Sequence, residues 1–331
     1  MAKHSSRVYL ITGGAGFVGC HLTRLLLKEG HSVVSLDNFE NSSMDNVKEF
    51  LRQDKYWFYR KDIVGDKVFL DKQIRRADII IHLAASVGVA NATDNPSGML
   101  RANILGMMNV IDLCAINGKR LLVSSSSEVY GWSPKSPFEE EAELVVPNPK
   151  FTRFSYALSK LVEEYYTVGF MKSHGLPVTI IRLFNSTGVG QNSRHNLVLP
   201  RMVFQALQGL PITVYGTGKQ TRCFCDVKES VVAIYLLSLS DKAIGEVVNI
   251  GTDEPTEIME LARMIKVLSR SPSEIVNVPY KEAFGTGFLD MEQRVPDLTK
   301  IYGMIKWRAE KPVEHIVSEV IAYEKTRRRI Q

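Results

Sequence analysis

The first half of the chain alternates short apolar runs with longer stretches in which apolar and polar positions recur at helical spacing. The apolar runs predict five strands, at Val8–Thr12, Ser32–Asp37, Trp57–Lys61, Ile79–Leu83 and Leu121–Ser125. Stretches between several of them predict helices, notably over Val18–Glu29 and Met99–Asn117. Strands that alternate with helices are typical of a parallel sheet with helices on its faces. The predicted fold class is therefore α/β, with a doubly wound parallel sheet.

The second half continues this pattern for one more unit and then loosens. A long helix predicted around Tyr156–Ser173 leads into a strand at Val178–Leu183, after which strand-like segments are separated by helices. These segments are Pro211–Tyr215, Arg222–Asp226 and Val247–Ile250. We predict a nucleotide-binding lobe formed mainly by residues 1–185 and a smaller, discontinuous α/β substrate lobe formed mainly by residues 186–331. Residues from about 228 to 250 are predicted to return to the first lobe.

Composition and charge narrow the class of protein. Of the 331 residues, 45% are hydrophobic and 23% are charged, which is ordinary for a globular protein. No apolar run approaches the roughly 18–20 residues needed to cross a bilayer, and the N-terminal residues lack the apolar stretch of a signal peptide. We therefore expect a cytoplasmic protein without membrane contact. The formal charge of +5 comes without aromatic residues among basic clusters, so we expect an anionic small molecule and no nucleic-acid partner.

Cysteine and histidine residues give no sign of a disulfide framework or a metal site. The four cysteines are Cys20, Cys114, Cys223 and Cys225. Cys223 and Cys225 alternate in one strand-like run, which predicts that their side chains share a face as packed thiols. His21 and His195 have no evident partner in the sequence. We therefore predict no metal.

A glycine-rich segment follows the first predicted strand and opens the first predicted helix. It reads Gly13-Gly14-Ala15-Gly16-Phe17-Val18-Gly19. Glycines permit a tight turn there and let backbone N–H groups approach a pyrophosphate at the helix N-terminus. The second strand ends at Asp37, where a carboxylate can accept hydrogen bonds from the adenosine ribose and would repel a 2′-phosphate. The two features together predict a dinucleotide site that prefers NAD to NADP.

Polar and small residues follow the next two strands at the same edge of the predicted sheet. Asp62 and Ile63 lie just past the third strand, where an adenine would lie. The fourth strand ends with Leu83-Ala84-Ala85, small residues where the dinucleotide would pass closely. His82 lies inside this strand, so we predict that it packs within the sheet and takes no part in catalysis.

Tyr156 and Lys160 stand four positions apart on a predicted helix, so they share a face. The ammonium and the positive charge of NAD⁺ would both lower the pKa of the tyrosine and favour a phenolate base near neutral pH. Serines 124–127 end the fifth strand, at the edge where such sheets carry their chemistry. A hydroxyl there, assigned to Ser126, could hydrogen-bond the substrate oxygen that Tyr156 deprotonates, while the cofactor takes the hydride.

These motifs resemble the extended short-chain dehydrogenase/reductase family over nearly the whole chain. Its nucleotide-sugar 4-epimerases, 4,6-dehydratases and UDP-glucuronate decarboxylases first oxidise the sugar C4 hydroxyl to a ketone with tightly held NAD⁺. The resemblance implies a Rossmann-type fold, a nucleotide-sugar substrate and a homodimer formed through the helices at Met99–Asn117 and Tyr156–Ser173. It also implies these cofactor-binding residues: Gly13, Gly16, Phe17, Val18, Gly19, Asp37, Asn38, Asp62, Ile63, Leu83, Ala84, Ala85, Asn103, Ser124, Tyr156 and Lys160.

The segment Ser126–Gly131 discriminates among the branches of that family. A 4,6-dehydratase carries Asp and then Glu after its hydroxyl residue, whereas this chain has Ser127 at the place of the Asp. A simple 4-epimerase usually has no acid at the place of Glu128. The pair Ser127-Glu128 instead looks like the Ser-Glu pair of UDP-glucuronate decarboxylases. Ser127 is therefore a candidate substrate-binding residue, and Glu128 a candidate catalytic residue.

Three further segments resemble the UDP-glucuronate decarboxylases. Arg153 lies a few residues before the predicted catalytic tyrosine, and Gly218–Phe224 is similar to their phosphate-binding segment. Asp290–Arg294 looks like the segment that supplies their active-site arginine. The resemblance implies that Arg294 or Arg153 holds the sugar carboxylate and stabilises the negative charge that develops as carbon dioxide leaves. Glu128 would influence that step electrostatically.

Recognition of the rest of the substrate is predicted to use Arg222, because a guanidinium suits bidentate contacts with a pyrophosphate. Asn185 is a second candidate for that role. The chain reads Gly188-Val189-Gly190 where the relatives commonly have Gly-Pro-Arg, and Arg194 could take the place of the missing arginine. This departure keeps an epimerase hypothesis open.

The leading hypothesis is NAD-dependent decarboxylation of a UDP-uronic acid through a 4-keto intermediate. The alternative is a UDP-sugar 4-epimerase that acts on UDP-glucose, UDP-N-acetylglucosamine or UDP-glucuronate. A nucleotide-sugar dehydratase and a non-catalytic dinucleotide sensor are further alternatives. Ser126, Tyr156 and Lys160 occur together, which argues against the sensor.

Overall fold

A computed structural model describes residues 5–88, 92, 94–192, 197–284 and 290–330. Seven strands form its central sheet: β1 (Val8–Thr12), β2 (Ser32–Asp37), β3 (Tyr56–Arg60), β4 (Ile79–His82), β5 (Arg120–Ser126), β6 (Val178–Leu183) and β11 (Val247–Ile250). Their spatial order is β11-β6-β5-β4-β1-β2-β3, and every neighbouring pair is parallel. The predicted α/β fold with a doubly wound parallel sheet is confirmed.

The helices cover both faces of this sheet. The helices on the sheet are α1 (Phe17–Lys28), α2 (Lys67–Arg76), α3 (Pro96–Ile116), α4 (Ser155–His174), α6 (Val227–Leu239) and α9 (Thr299–Ile305). The described residues also form α5 (Val198–Gln208), α7 (Ile258–Ser269), α8 (Tyr280–Phe284) and α10 (Val313–Ile330). Tyr9 and Ile11 face an apolar core shared with α1 and α6, whereas Leu10 faces a second core shared with α2, α3 and α4. Because both faces are buried, the strands read as nearly continuous apolar runs.

Shorter sheets and a third core follow the central sheet. β8 (Ile212–Tyr215) pairs in parallel with β13 (Ile275–Val278), and β9 (Thr221–Cys223) pairs antiparallel with β12 (Pro255–Glu257). Apolar residues of α5, α7 and α10 form the core beneath them. Residues 227–250 instead pack and pair with the central sheet through α6 and β11. The division into lobes at residue 185 stays a prediction.

The segment Arg222–Asp226 departs from its predicted form as a single strand. It splits at Phe224, because β9 pairs with β12 whereas β10 (Cys225–Asp226) pairs with β7 (Ser186–Thr187). The prediction that Cys223 and Cys225 belong to one strand is therefore wrong. Both thiols are buried, and burial raises the pKa of each to about 12.

Among the described residues, α3 is the one helix that is long and apolar enough to cross a membrane by length and composition. Its Met107, Val110 and Ile111 are fully buried in the core that also contains Leu10 and Leu121 of the sheet. The helix packs along α4. The apolar character of α3 is therefore accounted for by its position in this core.

Candidate active site

A cleft of about 1270 Å³ opens at the carboxyl ends of strands β1 to β6. This is the edge at which open parallel sheets bind their ligands. Of the site residues predicted from the sequence, all but Arg222 line it: Gly13, Gly16, Phe17, Val18, Gly19, Asp37, Asn38, Asp62, Ile63, Leu83, Ala84, Ala85, Asn103, Ser124, Ser126, Ser127, Glu128, Arg153, Tyr156, Lys160, Asn185 and Arg294. Residues as far apart in the chain as Gly13 and Arg294 therefore meet in one place.

The glycine-rich turn between β1 and α1 has no room for side chains. Gly13 has a φ of +72°, and a Cβ there would lie 2.8 Å from the Ala84 nitrogen. A Cβ on Gly19 would lie 2.3 Å from the Gly13 oxygen. The N-terminus of α1 has neither a side-chain cap nor an acidic residue in its first turn. Its N–H groups and the adjoining glycines therefore fit a pyrophosphate.

The Gly19→Ala substitution tests this turn. The added methyl group would meet the backbone of Gly13 and Gly14, which cannot move without opening the turn. We expect a loss of about 1–3 kcal/mol in the free energy of unfolding and a loss of NAD binding, measured by chemical denaturation and calorimetry. Gly169→Ala in α4 is the control, since a Cβ there meets nothing within 4 Å. It should stabilise the protein by roughly 0.5–1 kcal/mol, and equal destabilisation by both variants would contradict this account.

Asp37, at the end of β2, ties the glycine-rich turn to the loop that follows the strand. Its Oδ2 accepts a hydrogen bond from the Ala15 N–H at 3.0 Å. Its Oδ1 accepts hydrogen bonds from the Phe39 N–H at 2.9 Å and the Ser42 hydroxyl at 2.7 Å. Each carboxylate oxygen can accept more than one bond, so the arrangement still fits the predicted contact with ribose hydroxyls.

We expect Asp37→Asn to weaken NAD binding by about 10–100-fold, because charge-assisted hydrogen bonds are each worth about 1.5–3 kcal/mol. The preference for NAD over NADP should fall as well, since the repelling charge is gone. Calorimetric titration with both dinucleotides measures this. Asp54→Asn removes the same charge from an exposed position outside the cleft and should bind NAD as the wild type does. Equal NAD affinities for the wild type and both variants would show that Asp37 does not contribute to cofactor binding.

Other predicted cofactor-site residues already have protein partners. Asn103 on α3 accepts a hydrogen bond from the Ser86 N–H at 2.7 Å and donates to the Ser86 oxygen and the Ser159 hydroxyl. It therefore ties the loop after β4 to α4. The Asn38 and Asp62 side chains each accept a hydrogen bond from the backbone two residues onward. These contacts shape the wall of the cleft.

The structure agrees with the sequence-based prediction for His82 but not with that for His21. His82 is fully buried in β4 beside the Thr12 hydroxyl at 2.7 Å, and burial lowers its pKa to about 3. It packs as a neutral side chain. His21 has partners that the sequence did not suggest, because its Nε2 contacts the Val189 oxygen at 2.9 Å and its Nδ1 contacts Arg24. His195 lies outside the described residues.

Tyr156 and Lys160 lie on the first turns of α4, beside the end of β5. The Lys160 Nζ donates to the Ser124 oxygen and to Glu163 Oε2, each at 2.9 Å. The Lys160 side chain is 1% exposed. The Ser126 hydroxyl accepts a hydrogen bond from the Glu128 N–H at 3.2 Å. It also hydrogen-bonds the Tyr156 hydroxyl and thereby lowers the pKa of that tyrosine. The predicted serine, tyrosine and lysine therefore share one end of the cleft.

The Lys160 ammonium lowers the pKa of Tyr156 as predicted, but burial outweighs this effect. Burial raises the pKa of Tyr156 above its ordinary value of 10.0, and the nearby Lys160 ammonium only partly opposes this. Glu163 and Glu128 add to the rise, because negative charges disfavour a phenolate. The sequence argument weighed the lysine and the cofactor but could not weigh burial or these two carboxylates.

Five charged side chains form a cluster beside Tyr156. Glu128 lies between two guanidinium groups, with Arg153 Nη1 at 2.6 Å from its Oε2 and Arg294 Nη2 at 2.8 Å from its Oε1. Asp290 also lies between two, with Arg153 Nη2 and Arg222 Nη2 each 2.7 Å from its carboxylate oxygens. Three arginines and two carboxylates leave one positive charge in excess. The cluster is therefore suited to binding an anion.

Glu128 is ionised in this cluster. Although burial alone would raise its pKa, the Arg153 and Arg294 guanidinium groups hold the pKa of Glu128 well below its usual range. The pKa of Asp290 is lowered in the same way by Arg222 and Arg153, against the effect of burial. Neither carboxylate carries a proton near neutral pH. Their role is to hold the arginines in place.

The predicted pyrophosphate ligands occupy different positions. Arg222 is buried behind the cleft, where it donates to Asp290 and to the Thr221 oxygen at 2.7 Å. Asn185 lines the cleft, and its amide donates to the Cys223 oxygen at 3.2 Å. Arg194 lies outside the described residues.

Two functional candidates were missed by the sequence analysis as individual residues. Asp290 joins Arg153 to Arg222, and no local pattern announces contacts across 137 and 68 positions. Glu163 pairs with Lys160 three positions away on the same helix. That spacing places both side chains on one face, so the signal for Glu163 was present.

The geometry of the cleft agrees with a comparison to known sequence families. The profile of the NAD dependent epimerase/dehydratase family matches residues 9–251. The chain belongs to this family. The match confirms the resemblance found in the sequence, and NAD is the cofactor of the family. The glycine turn and the uncapped N-terminus of α1 provide the cradle that this cofactor requires.

Individual relatives cover almost the whole chain. It is 34% identical to a UDP-N-acetyl-alpha-D-glucosaminuronate decarboxylase from Bacillus cytotoxicus over 325 residues, which are 95% of this chain and 96% of the relative. It is 35% identical to UDP-glucuronic acid decarboxylase 1 from Danio rerio, covering 98% of this chain and 74% of that one. An epimerase structure from Methanothermobacter thermautotrophicus superposes with a TM-score of 0.89 at 28% identity, covering 98% and 94% of the two chains.

Proposed function

We propose that this protein decarboxylates a UDP-linked uronic acid after oxidising its C4 hydroxyl. The observation that carries the proposal is the position of Glu128 between Arg153 and Arg294, beside Tyr156 in the cofactor cleft. Two relatives at 34% and 35% identity are named as decarboxylases of UDP-linked uronic acids. Both the charge of the site and these names support a substrate with a carboxylate on its sugar.

Oxidation of the C4 hydroxyl requires a base that removes its proton. Tyr156 is suited to this, because its hydroxyl shares the end of the cleft with Ser126 and Lys160. Ser126 would hydrogen-bond the same sugar oxygen, and the Lys160 ammonium would stabilise the phenolate. Bound NAD⁺ would accept the hydride from C4. The proton would then reside on the Tyr156 oxygen.

Decarboxylation follows because a carboxylate next to a C4 ketone is that of a β-keto acid. The bond between C5 and C6 breaks, carbon dioxide leaves, and its electron pair remains as an enolate on C4 and C5. Arg294 and Arg153 would hold the carboxylate and stabilise the enolate charge. Arg294 lines the cleft, so its side chain is placed to meet the substrate. Glu128, being ionised, cannot be the acid that protonates C5.

The test is incubation of purified protein with NAD⁺ and either UDP-glucuronate or UDP-N-acetylglucosaminuronate, followed by mass spectrometry. We expect loss of carbon dioxide from at least one of them. A UDP-4-keto pentose would show that the hydride stays on the cofactor as NADH, whereas a UDP-pentose would show that the hydride returns to C4. No loss of mass from either substrate would refute the decarboxylase.

A 4-epimerase is the second candidate, favoured by the segment Gly188-Val189-Gly190. Gly190 stands where the relatives commonly have the arginine, and its φ of +86° is a backbone conformation that an arginine rarely adopts, although a Cβ there would meet nothing within 4 Å. Residues 186–192, the described part of this loop, supply no arginine that could contact a uronate. An unchanged mass with inversion at C4, detected by NMR on UDP-glucose, UDP-N-acetylglucosamine and UDP-glucuronate, would establish this candidate.

The assembly and location of the protein are part of the same proposal. We propose a homodimer through α3 and α4, whose outer surfaces expose Ile116, Leu158 and Tyr165. We also propose that the enzyme is cytoplasmic. Light scattering coupled to gel filtration would test the dimer.

A further inference from the structure

Glu163 is a buried carboxylate that the mechanism proposed above does not use. Its side chain is 0% exposed and lies one turn after Lys160 on α4. Its Oε2 accepts the hydrogen bond from the Lys160 Nζ at 2.9 Å. Its Oε1 has no hydrogen-bond partner among the described residues. A buried carboxylate oxygen without a hydrogen bond destabilises the folded state. A role other than stability must therefore explain the glutamate at this position.

The surroundings make Glu163 the principal counter-charge of Lys160. His82 on β4 faces the lysine but is neutral, and the Ser124 oxygen offers only a dipole. On α4 itself, Tyr156 and Glu164 also act on Lys160, but Glu164 binds Arg182 through two hydrogen bonds of 2.9 and 2.7 Å. Without Glu163, the ammonium of Lys160, whose side chain is 1% exposed, would be buried with no hydrogen-bonded anion.

We infer that Glu163 is a positioning residue that holds Lys160 charged and in place beside Tyr156, and thereby sets the pH range of the reaction. The inference rests on the base and ammonium roles given to Tyr156 and Lys160 in the proposed function. Glu163 does not line the cleft, so its side chain does not reach a cofactor or substrate bound there. It therefore acts through Lys160.

The charges act in a definite direction on each group. Burial favours the neutral form of Lys160, but Glu163 is the largest influence that opposes it, and the pKa of Lys160 is raised. Burial also raises the pKa of Tyr156, and Glu163 raises it further while Lys160 lowers it. Removing the negative charge at Glu163 should therefore lower the pKa of both groups. Glu128, the other carboxylate that acts on Tyr156, is unchanged by such a substitution.

The Glu163→Gln variant tests the inference through its pH profile. Loss of a proton from Tyr156 governs the acid limb of kcat/KM, and loss of a proton from Lys160 governs the alkaline limb. We expect both limbs to move to lower pH, by roughly one pH unit, which is a tenfold rate change at fixed pH on a limb. The rate is followed as formation of reduced nicotinamide from UDP-glucuronate or, if that is inert, UDP-glucose.

Glu164→Gln is the matched control. It makes the same chemical change at the next residue and breaks the buried pair with Arg182. We expect it to lower the melting temperature and to move the alkaline limb much less than Glu163→Gln does, because Glu164 acts on Lys160 more weakly than Glu163. If Glu163→Gln changed only the melting temperature or kcat, with a profile that superposes on the wild type, the inference would be overturned.

A stability cycle tests the pair without any turnover. Measured above pH 7, Lys160→Met and Glu163→Met should each raise the unfolding constant on the order of 10²–10³-fold, because each leaves the other group buried without its partner. The double variant should recover most of that loss. Additive effects would overturn the inference. This readout is independent of the proposed function, since inert UDP-uronates would refute the decarboxylase while leaving the cycle interpretable.

The pH dependence of that cycle has a definite sign. Burial raises the pKa of Glu163 from 4.5 to about 7 even beside Lys160. A group with a raised folded-state pKa contributes stability that is complete below its unfolded pKa and lost as pH rises through its folded pKa. Lys160→Met should therefore lose stability progressively above about pH 4.5, more steeply than the double variant does. Parallel curves for the two would count against the inference.

Discussion

Tyr156→Phe is expected to lower turnover by about 10²–10⁴-fold, the contribution of a positioned base. The substitution removes only the phenolic oxygen, so Lys160, Ser126 and the glycine-rich turn remain as they are. NAD affinity measured by calorimetry should therefore stay close to that of the wild type. The readouts are formation of reduced nicotinamide and of product from the UDP-sugar. In the wild type, the rate should rise with pH on the acid limb, because burial raises the pKa of Tyr156.

The matched control for this variant is Tyr165→Phe, on the same helix. The Tyr165 side chain is 75% exposed and does not line the cleft. It should turn over at the wild-type rate. Wild-type turnover by Tyr156→Phe itself would exclude the tyrosine as the base and with it the mechanism of oxidation proposed here.

Glu128→Ala should separate the two halves of the reaction. The variant leaves Arg153 and Arg294 without the carboxylate that holds them, so the guanidinium groups no longer meet the developing charge in one geometry. We expect release of carbon dioxide to fall by about 10²–10³-fold, while reduction of bound NAD⁺ by the substrate persists. The free energy of unfolding should fall by about 3–5 kcal/mol, because two buried cations lose a partner.

Glu128→Gln provides the control for shape. It keeps an oxygen that accepts from an arginine but removes the charge, and it should fall between the wild type and Glu128→Ala in both measurements. Mass spectrometry of carbon dioxide loss and absorbance of reduced nicotinamide report the two halves separately. Undiminished decarboxylation by Glu128→Ala would leave the decarboxylase proposal without its main structural support.

The strands of the central sheet were predictable because all but the edge strand β3 are buried on both faces. β1, β2, β6 and β11 begin and end at the predicted residues, β4 ends one residue earlier, and β3 and β5 each differ by one residue at both ends. Arg222–Asp226 was not predictable in the same way. It is a short segment whose two halves pair with strands from different parts of the chain, and the sequence carries no record of that pairing.

The candidate site was predictable where it depends on local spacing. Tyr156 and Lys160 share a helix face, and the serine run, the glycine turn and Asp37 all follow strands that end at one edge. The sign of the Tyr156 pKa shift was not predictable, since it depends on burial and on Glu128 and Glu163. These are properties of the packed interior, and no sequence spacing measures them.

By itself, the sequence determined the parallel α/β sheet, the cofactor turn and the serine, tyrosine and lysine of the reactive end, because each follows from periodicity or short-range spacing. Only the tertiary structure decided how the distant charges pair. Asp290 reaches Arg153 across 137 positions and Arg222 across 68, and Arg294 reaches Glu128 from the far end of the chain. Charge pairing depends on distances of a few ångströms in a buried environment, and such distances exist only once the chain has folded.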